Sequence, residues 1–407
     1  MNKKILSLVN QIKDICEYGV EPRGRHECLN SDRGEKVFIQ GEEKIRKYHN
    51  LLEQIWKSDN EIYETIWDGI IRIEVPKIIV NSFRNDIPVD KELDNLINQL
   101  LGIEKQEWLI FMEIYGVNME TEKPLEFGQF TIYNWEKHRN IVVDKFKSAE
   151  PDPNAINKWI KEDTKYLISV AVTSRDSSRA KSLADEKFRQ VENIFAYMHG
   201  GISHHFNIGI VHYDGDFSNR SISVSSSNMT SASTQKSGSH KIHLDKNIHF
   251  FDHVNGNHKI WEIARKINKS DIEKRLLIAV EWIGKGVNDL DDAKAFVQFI
   301  FAIEGLLKQN EGGIINASIS SQISEFAAFL IGYTLEERIK IEKLCKNLYT
   351  KRSAIAHGGS QSITKEDLEN ALDLSKKLVI KILTSPEFSC INSINEIAEW
   401  IKKKRYS

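Results

Sequence analysis

The chain is short of the residues that would tie it to an oxidising compartment or a membrane. Only four of its 407 residues are cysteine: Cys16, Cys28, Cys345 and Cys390. No two form a C-x-x-C pair, so neither a zinc knuckle nor a dithiol redox motif is encoded. Four scattered cysteines suit a reducing compartment. No apolar run approaches the roughly 20 residues that a spanning helix needs. The N-terminal run Ile5 to Val9 leads straight into Asn10, Lys13 and Asp14. That is too short and too polar for a signal peptide. These absences predict a soluble, cytoplasmic protein with no membrane partner. Excess positive charge is missing too. Lys plus Arg is 56 against 58 Asp plus Glu, a formal net charge of -2. A constitutive nucleic-acid coat protein is usually basic overall, so any nucleic-acid contact must come from a local patch. No repeat period runs through the chain. Gly284-Lys285-Gly286 lacks the G-x-x-x-x-G-K-[ST] spacing of a phosphate loop.

What is present is enough to fold. Apolar residues make up 41% of the chain, and its length exceeds one ordinary core, so two or three domains are expected. Residues 1–65 are polar and charged, with helical spacing at Ile45, Tyr48, Leu51, Leu52 and Ile55. Ile71 to Val75 alternates, meets Pro76 and continues as Ile78-Ile79-Val80, which reads as an edge strand. Further strands are expected over 108–115, 128–135 and 166–172. From Ala180 to Met198 apolar residues recur at spacings of three and four, an amphipathic helix ending at Gly200-Gly201. Strands without helical crossovers followed by a helix predict an α+β domain rather than a doubly wound one. The N-terminal region is thus drawn as 1–215, a regulatory or sensing half with a helical segment over 1–65. Residues 217–240 are rich in Ser and read as an exposed loop, within a linker drawn at 216–256. Residues 257–407 show only helical patterns: Trp261–Ile267, Ile272–Gly284, Ala293–Leu307, Ile319–Leu330 and Leu335–Ala356. A last long helix starts near Thr364, where Thr364 and Asp367 resemble a capping box. This is an all-α bundle with short loops.

Within that bundle lies Arg352-Ser353-Ala354-Ile355-Ala356-His357-Gly358. It joins an always-charged cation to the one side chain that titrates near neutrality. An Arg can hold a phosphate, and a His can take the proton of a ribose 2′-OH. Five helical residues advance about 500°, so the two side chains point about 140° apart on a straight helix. Unwinding at Gly358-Gly359, or a second copy of the chain supplying the other residue, would bring them to one phosphate. Lys351 and Ser353 can add phosphate contacts. Over 335–407 there are 14 Lys or Arg against 10 Asp or Glu, a local +4 that suits a polyanion. The plainer alternative has Arg352 on a solvated face, or paired with a carboxylate such as Glu304. His357 is then simply favoured by the helix dipole.

The run from Leu348 through Tyr349, Arg352, Ser353, Ile355 and His357 to Gly358 resembles the HEPN superfamily, in particular its ApeA-like branch. So does the upstream Ala302-Ile303-Glu304-Gly305-Leu306-Leu307. The resemblance covers about 260–385. It implies a HEPN-like helical domain, a metal-independent endoribonuclease and a toxin or antiphage-defence role. It implies Arg352 and His357 as catalytic residues, Ser353 as support, and Glu304 and Tyr349 as framework. It also implies an RNA substrate, a homodimer through the helical domain, and a phage or cellular trigger sensed by the N-terminal half. No cofactor and no metal are called for. The alternative is a non-catalytic module that binds RNA, nucleotide or protein.

Other features carry less. His199, His204, His205 and His212 invite a metal reading, but the H-E-x-x-H spacing is absent. Arg23-Gly24-Arg25-His26 reads as a solvated linker, and Lys402–Arg405 as a solvated charged end.

Overall fold

Not every β-branched run in the first third of the chain becomes a strand. The computed structural model describes residues 3–19, 21–31, 34–83, 88–147, 155–202, 208–211, 218–224, 230–236, 241–246, 248–309, 319–357 and 362–406. It has an N-terminal α+β region followed by an all-helical region. Two compact units divide it, one of Met1–Ile110 with Ala171–Glu186, the other of Phe111–Val170 with Lys187–Ser407.

The first unit opens with helix α1 (Lys3–Lys13) and strands β1 (Glu17–Tyr18), β2 (His26–Asn30) and β3 (Lys36–Gln40). The strands pair antiparallel in the order β1-β3-β2. Helices α2 (Glu42–Trp56), α3 (Asn60–Thr65), α4 (Asp68–Ser82) and α5 (Val89–Gly102) follow. As its spacing predicts, α2 buries Tyr48, Leu51, Leu52 and Ile55. They join Val9, Ile12, Val37, Ile39 and Ile79 in one core. The three-stranded sheet lies within 1–65, where the sequence shows helical spacing only in places, and His26 belongs to strand β2 rather than to a linker. The expected strand at 71–80 is corrected as well. It is helix α4, with Pro76 inside it. Ile71, Val75, Pro76, Ile78, Ile79 and Val80 are all buried. A helix apolar on most sides has no polar face to reveal its period.

Next come β4 (Gln106–Glu113), β5 (Val117–Asn118), β6 (Leu125–Phe127), β7 (Phe130–Asn134), α6 (Trp135–Asp144), α7 (Ala155–Trp159), β8 (Tyr166–Ser174) and α8 (Ser177–His199). Strands β4, β8, β7 and β6 form one sheet in that order. The three strands expected here and the long helix are all present. Helix α8 stops at Gly200, where a Cβ would lie 2.1 Å from Val287 Cγ1. Lys376 Nζ donates to the Gly200 carbonyl at 2.8 Å, and burial pushes its ammonium down to about 8. Strands β9 (Ser218–Val224) and β10 (Thr230–Lys236) pair antiparallel, so these two segments are strand rather than the loop expected over 217–240; the rest of that span lies outside the described residues. Strand β11 (Ile242–His243) pairs parallel with β5.

Helices α9 (Asn257–Arg265), α10 (Asp271–Asn288), α11 (Asp292–Leu307), α12 (Ile319–Ile331), α13 (Leu335–Ala356), α14 (Lys365–Thr384) and α15 (Ile394–Arg405) complete the second unit. Ser270, Thr334 and Thr364 each form a reciprocal capping box with the residue three positions on, which fixes where α10, α13 and α14 begin. Val280, Ile283, Phe296, Phe299, Ile300, Ile303, Leu378 and Val379 are buried among them. The C-terminal charge run is exposed, as expected, and forms the last turn of α15. Ser393 caps α15, Ile397 and Ile401 are buried, and Arg405 pairs with Glu325. No helix among the described residues is long and apolar enough to cross a membrane.

Candidate functional site

Helix α13 carries the motif. Its N-terminus is fixed by the Thr334 hydroxyl, which accepts the Glu337 N–H, while Glu337 accepts the N–H groups of Tyr333 and Thr334. From there it runs 22 residues to Ala356 and buries only Cys345, Leu348 and Tyr349. Arg352 follows Tyr349 by three residues and so continues the inward stripe.

That stripe meets helix α11. Arg352 Nη2 lies 3.4 Å from Glu304 Oε1, with the two side chains 29% and 21% exposed. The guanidinium stands over the Phe301 ring, 5.2 Å from its centroid. Good charge-assisted hydrogen bonds run at about 2.7–2.9 Å. The Arg352–Glu304 pair is therefore long and half-solvated, a kind that adds little stability. Glu304 belongs to the Ala302–Leu307 run, four of whose residues, Ala302, Ile303, Leu306 and Leu307, are buried. Gly305 lets α10 come close, since a Cβ there would lie 2.9 Å from Ile278 Cγ2. The two separate sequence runs thus meet at one place.

One donor beside this pair has no acceptor among the described residues. Arg352 Nε is buried and unpaired, and the Tyr349 hydroxyl is buried against the Glu304 carboxylate. Tyr349 is only 8% exposed. Burial raises its pKa far above the ordinary tyrosine value, and the negative charge on Glu304 adds to that. The Glu304 carboxylate is close enough to accept from the hydroxyl, which favours the neutral phenol further. Tyr349 is therefore a neutral donor at any working pH. A buried hydrogen bond contributes about 0.5–1.5 kcal/mol. Tyr349→Phe should accordingly lower the urea midpoint, by about 1 kcal/mol in unfolding free energy. A higher midpoint would mean that the hydroxyl has no partner.

The remaining motif residues lie apart. His357 is the C-cap of α13, with φ −96° and ψ 15°, and its N–H bonds Ser353 O at 3.1 Å. Its side chain is exposed, as is that of Ser353. The helix keeps its winding up to His357, so the roughly 140° between Arg352 and His357 persists within one chain. Gly358 and Gly359 lie outside the described residues. Lys351 is engaged in structure. Its Nζ sits 2.6 Å from Asp367 Oδ1, in the cap of α14. Burial alone would raise the Asp367 pKa, but Lys351 and the Thr364 hydrogen bonds outweigh it and hold the carboxyl below its usual range. Lys351 thus ties the end of α13 to the start of α14.

Phe301 is the residue that sequence reasoning missed. Its signal was its place three before Glu304, on the same face of α11. Of the four histidines that invite a metal, His204, His205 and His212 lie outside the described residues, and His199 stacks on Phe250 with centroids 6.1 Å apart. Among the described residues no three His, Cys, Asp or Glu side chains converge to hold a metal ion. Comparison with family models, curated proteins and solved structures finds no match to this chain. The HEPN resemblance therefore rests on the two sequence runs themselves.

Proposed function

We propose that the chain is a metal-independent endoribonuclease that works as a homodimer in the cytoplasm. One observation carries the reading: the Arg352 guanidinium is partly exposed while its Nε is buried and unpaired, with the Tyr349 hydroxyl close by. An oxyanion such as an RNA phosphate is the natural complement of such donors. Phosphate oxygens would displace Glu304 from a long ion pair that is weak enough to yield. The exposed His357 imidazole then takes the proton of a ribose 2′-OH. The O2′–P bond forms, the P–O5′ bond breaks, and the departing O5′ takes a proton from water. The products are a 2′,3′-cyclic phosphate and a 5′-OH. Arg352 stabilises the charge that gathers on the phosphate oxygens. Because Arg352 and His357 of one chain point apart, the second copy supplies the imidazole. A toxin or antiphage role, with a trigger acting on the N-terminal half, follows from the motif's resemblance.

The test is direct. Wild type and His357→Ala are incubated with total RNA in EDTA and the new ends are mapped. Wild type leaves cyclic phosphates, and the variant is slower by about 10²–10⁴-fold. Intact RNA with wild type, or equal cutting by both, overturns the reading. A second reading is favoured by the Arg352–Glu304 pair, which occupies the guanidinium in the resting chain. It makes the bundle a non-catalytic module for RNA, nucleotide or protein, with binding that survives His357→Ala and no cyclic ends.

A further inference from the structure

A second site lies far along the chain from the motif, at the end of β4. There a cleft of about 140 Å³ opens among Glu113, Tyr115, Asp163, Thr164, Lys165 and Lys241. Glu113 is its most organised group. One carboxylate oxygen accepts the Thr164 hydroxyl and the other accepts the Tyr115 hydroxyl. Thr164 is itself only 8% exposed. Each oxygen keeps a further acceptor site. No cation lies within ion-pair distance of Glu113 among the described residues. A half-buried carboxylate so arranged is oriented by hydroxyls but left without a neutralising charge, which is costly until a cation arrives.

Two lysines rim the same cleft. Lys165 and Lys241 are exposed, and neither makes an ion pair among the described residues. Asp163 is exposed too and likewise makes none. Two acids against two bases leave no net charge in the cleft. That balance disfavours a nucleotide or a polyphosphate, which would bring its negative charge against Glu113 and Asp163. It suits a ligand with one charge of each sign.

The walls are fixed in advance. Ile114 N donates to Tyr166 O at 3.1 Å, Ile242 N to Gly116 O at 3.0 Å, and Trp135 N to Lys165 O at 2.8 Å. Gly116 turns the chain out of β4 with φ +74°, a conformation open to glycine. A preformed site loses little to ordering when it binds.

We infer that this cleft is a binding site for a small zwitterion of the α-amino-acid class. The ligand's ammonium sits on Glu113 and its carboxylate between Lys165 and Lys241. The ammonium brings three donors to the acceptor sites that Glu113 keeps free. The inference stands independently of the nuclease reading.

The test uses the full chain. The proteinogenic amino acids are screened at millimolar concentration by thermal shift, and the best binder is measured by calorimetry. At least one raises Tm. Its N-acetyl and carboxamide derivatives, each lacking one charge, bind about tenfold more weakly or worse. Glu113→Gln and Lys241→Gln each cause a loss of the same order. Lys241 is exposed, so its variant folds and keeps the test decisive even if Glu113→Gln does not. The inference is overturned if no amino acid binds, if affinity survives either substitution, or if acetate or inorganic phosphate binds as tightly as the best amino acid.

Discussion

Arg352→Ala and His357→Ala subunits, each inactive alone, should regain about a quarter of wild-type RNA cleavage when co-expressed. Each variant by itself is expected to lose about 10²–10⁴-fold, the range for an acid–base or charge-stabilising group. The recovery follows from the winding of α13. The His357 N–H still bonds Ser353 O at 3.1 Å, so Arg352 and His357 leave the helix about 140° apart. On the proposed reading, a phosphate held by one chain's Arg352 meets the imidazole of the second copy. A two-fold dimer has two such composite sites. In a mixed dimer, one site combines both damaged residues and the other both intact ones. Random pairing makes about half the dimers mixed, each with one working site of two, hence the quarter. Differently tagged subunits purified in tandem would isolate the mixed dimers and raise the figure to about one half. If the site formed within one chain, every site in the mixture would lack a residue and activity would stay at the single-variant background.

The sequence made this region legible for reasons that did not extend to the whole chain. Helix α13 is legible at its observed limits from its apolar spacing, and α14 from the Thr364–Asp367 cap. Helix α4 was not legible, because residues such as Val75, Ile79 and Val80 are buried on several sides of it. The β9–β10 pair was hidden by its Ser content. Its pairing, from Thr230 with Val224 to Lys236 with Ser218, is made by the backbone, which composition does not encode. At the site, the sequence placed Arg352 and Glu304 in the right helices. It could not show that Lys351 would be taken by Asp367, or that Phe301 would lie beneath the guanidinium. Such contacts depend on how α11, α13 and α14 pack, and helical periodicity fixes only which face each presents.

The largest structural loss is expected at a residue that sequence reading considered only to dismiss as a phosphate loop. Gly284→Ala should lower unfolding free energy by about 3 kcal/mol, and Gly284→Val should not yield folded protein. At an ordinary helix interior the change from Gly to Ala stabilises by about 1 kcal/mol. Here the sign reverses, because α10 crosses α8 at this point. A Cβ on Gly284 would lie 2.2 Å from the backbone oxygen of Asn193 and 2.7 Å from its Cα. Backbone atoms of a buried helix cannot swing aside, so the two helices would have to separate. Gly286, two residues on, provides the control. Its Cβ would meet the Phe299 ring at 2.5 Å and the Ala295 backbone oxygen only at 3.1 Å; a ring edge can turn, so Gly286→Ala should cost less. The readout is the urea midpoint of each variant beside wild type, with near-ultraviolet circular dichroism for packing. A Gly284→Ala midpoint at or above that of wild type would refute the close crossing. The consequence reaches the candidate site, because Ile278 of α10 sits against Gly305 of α11, next to Glu304. Displacing α10 shifts the helix that presents Glu304 and Phe301 to Arg352. The Gly284 variants should therefore lose cleavage along with stability, whereas His357→Ala, at an exposed C-cap, should keep stability while losing cleavage. That contrast separates a residue that holds the scaffold from one proposed to act on the phosphate.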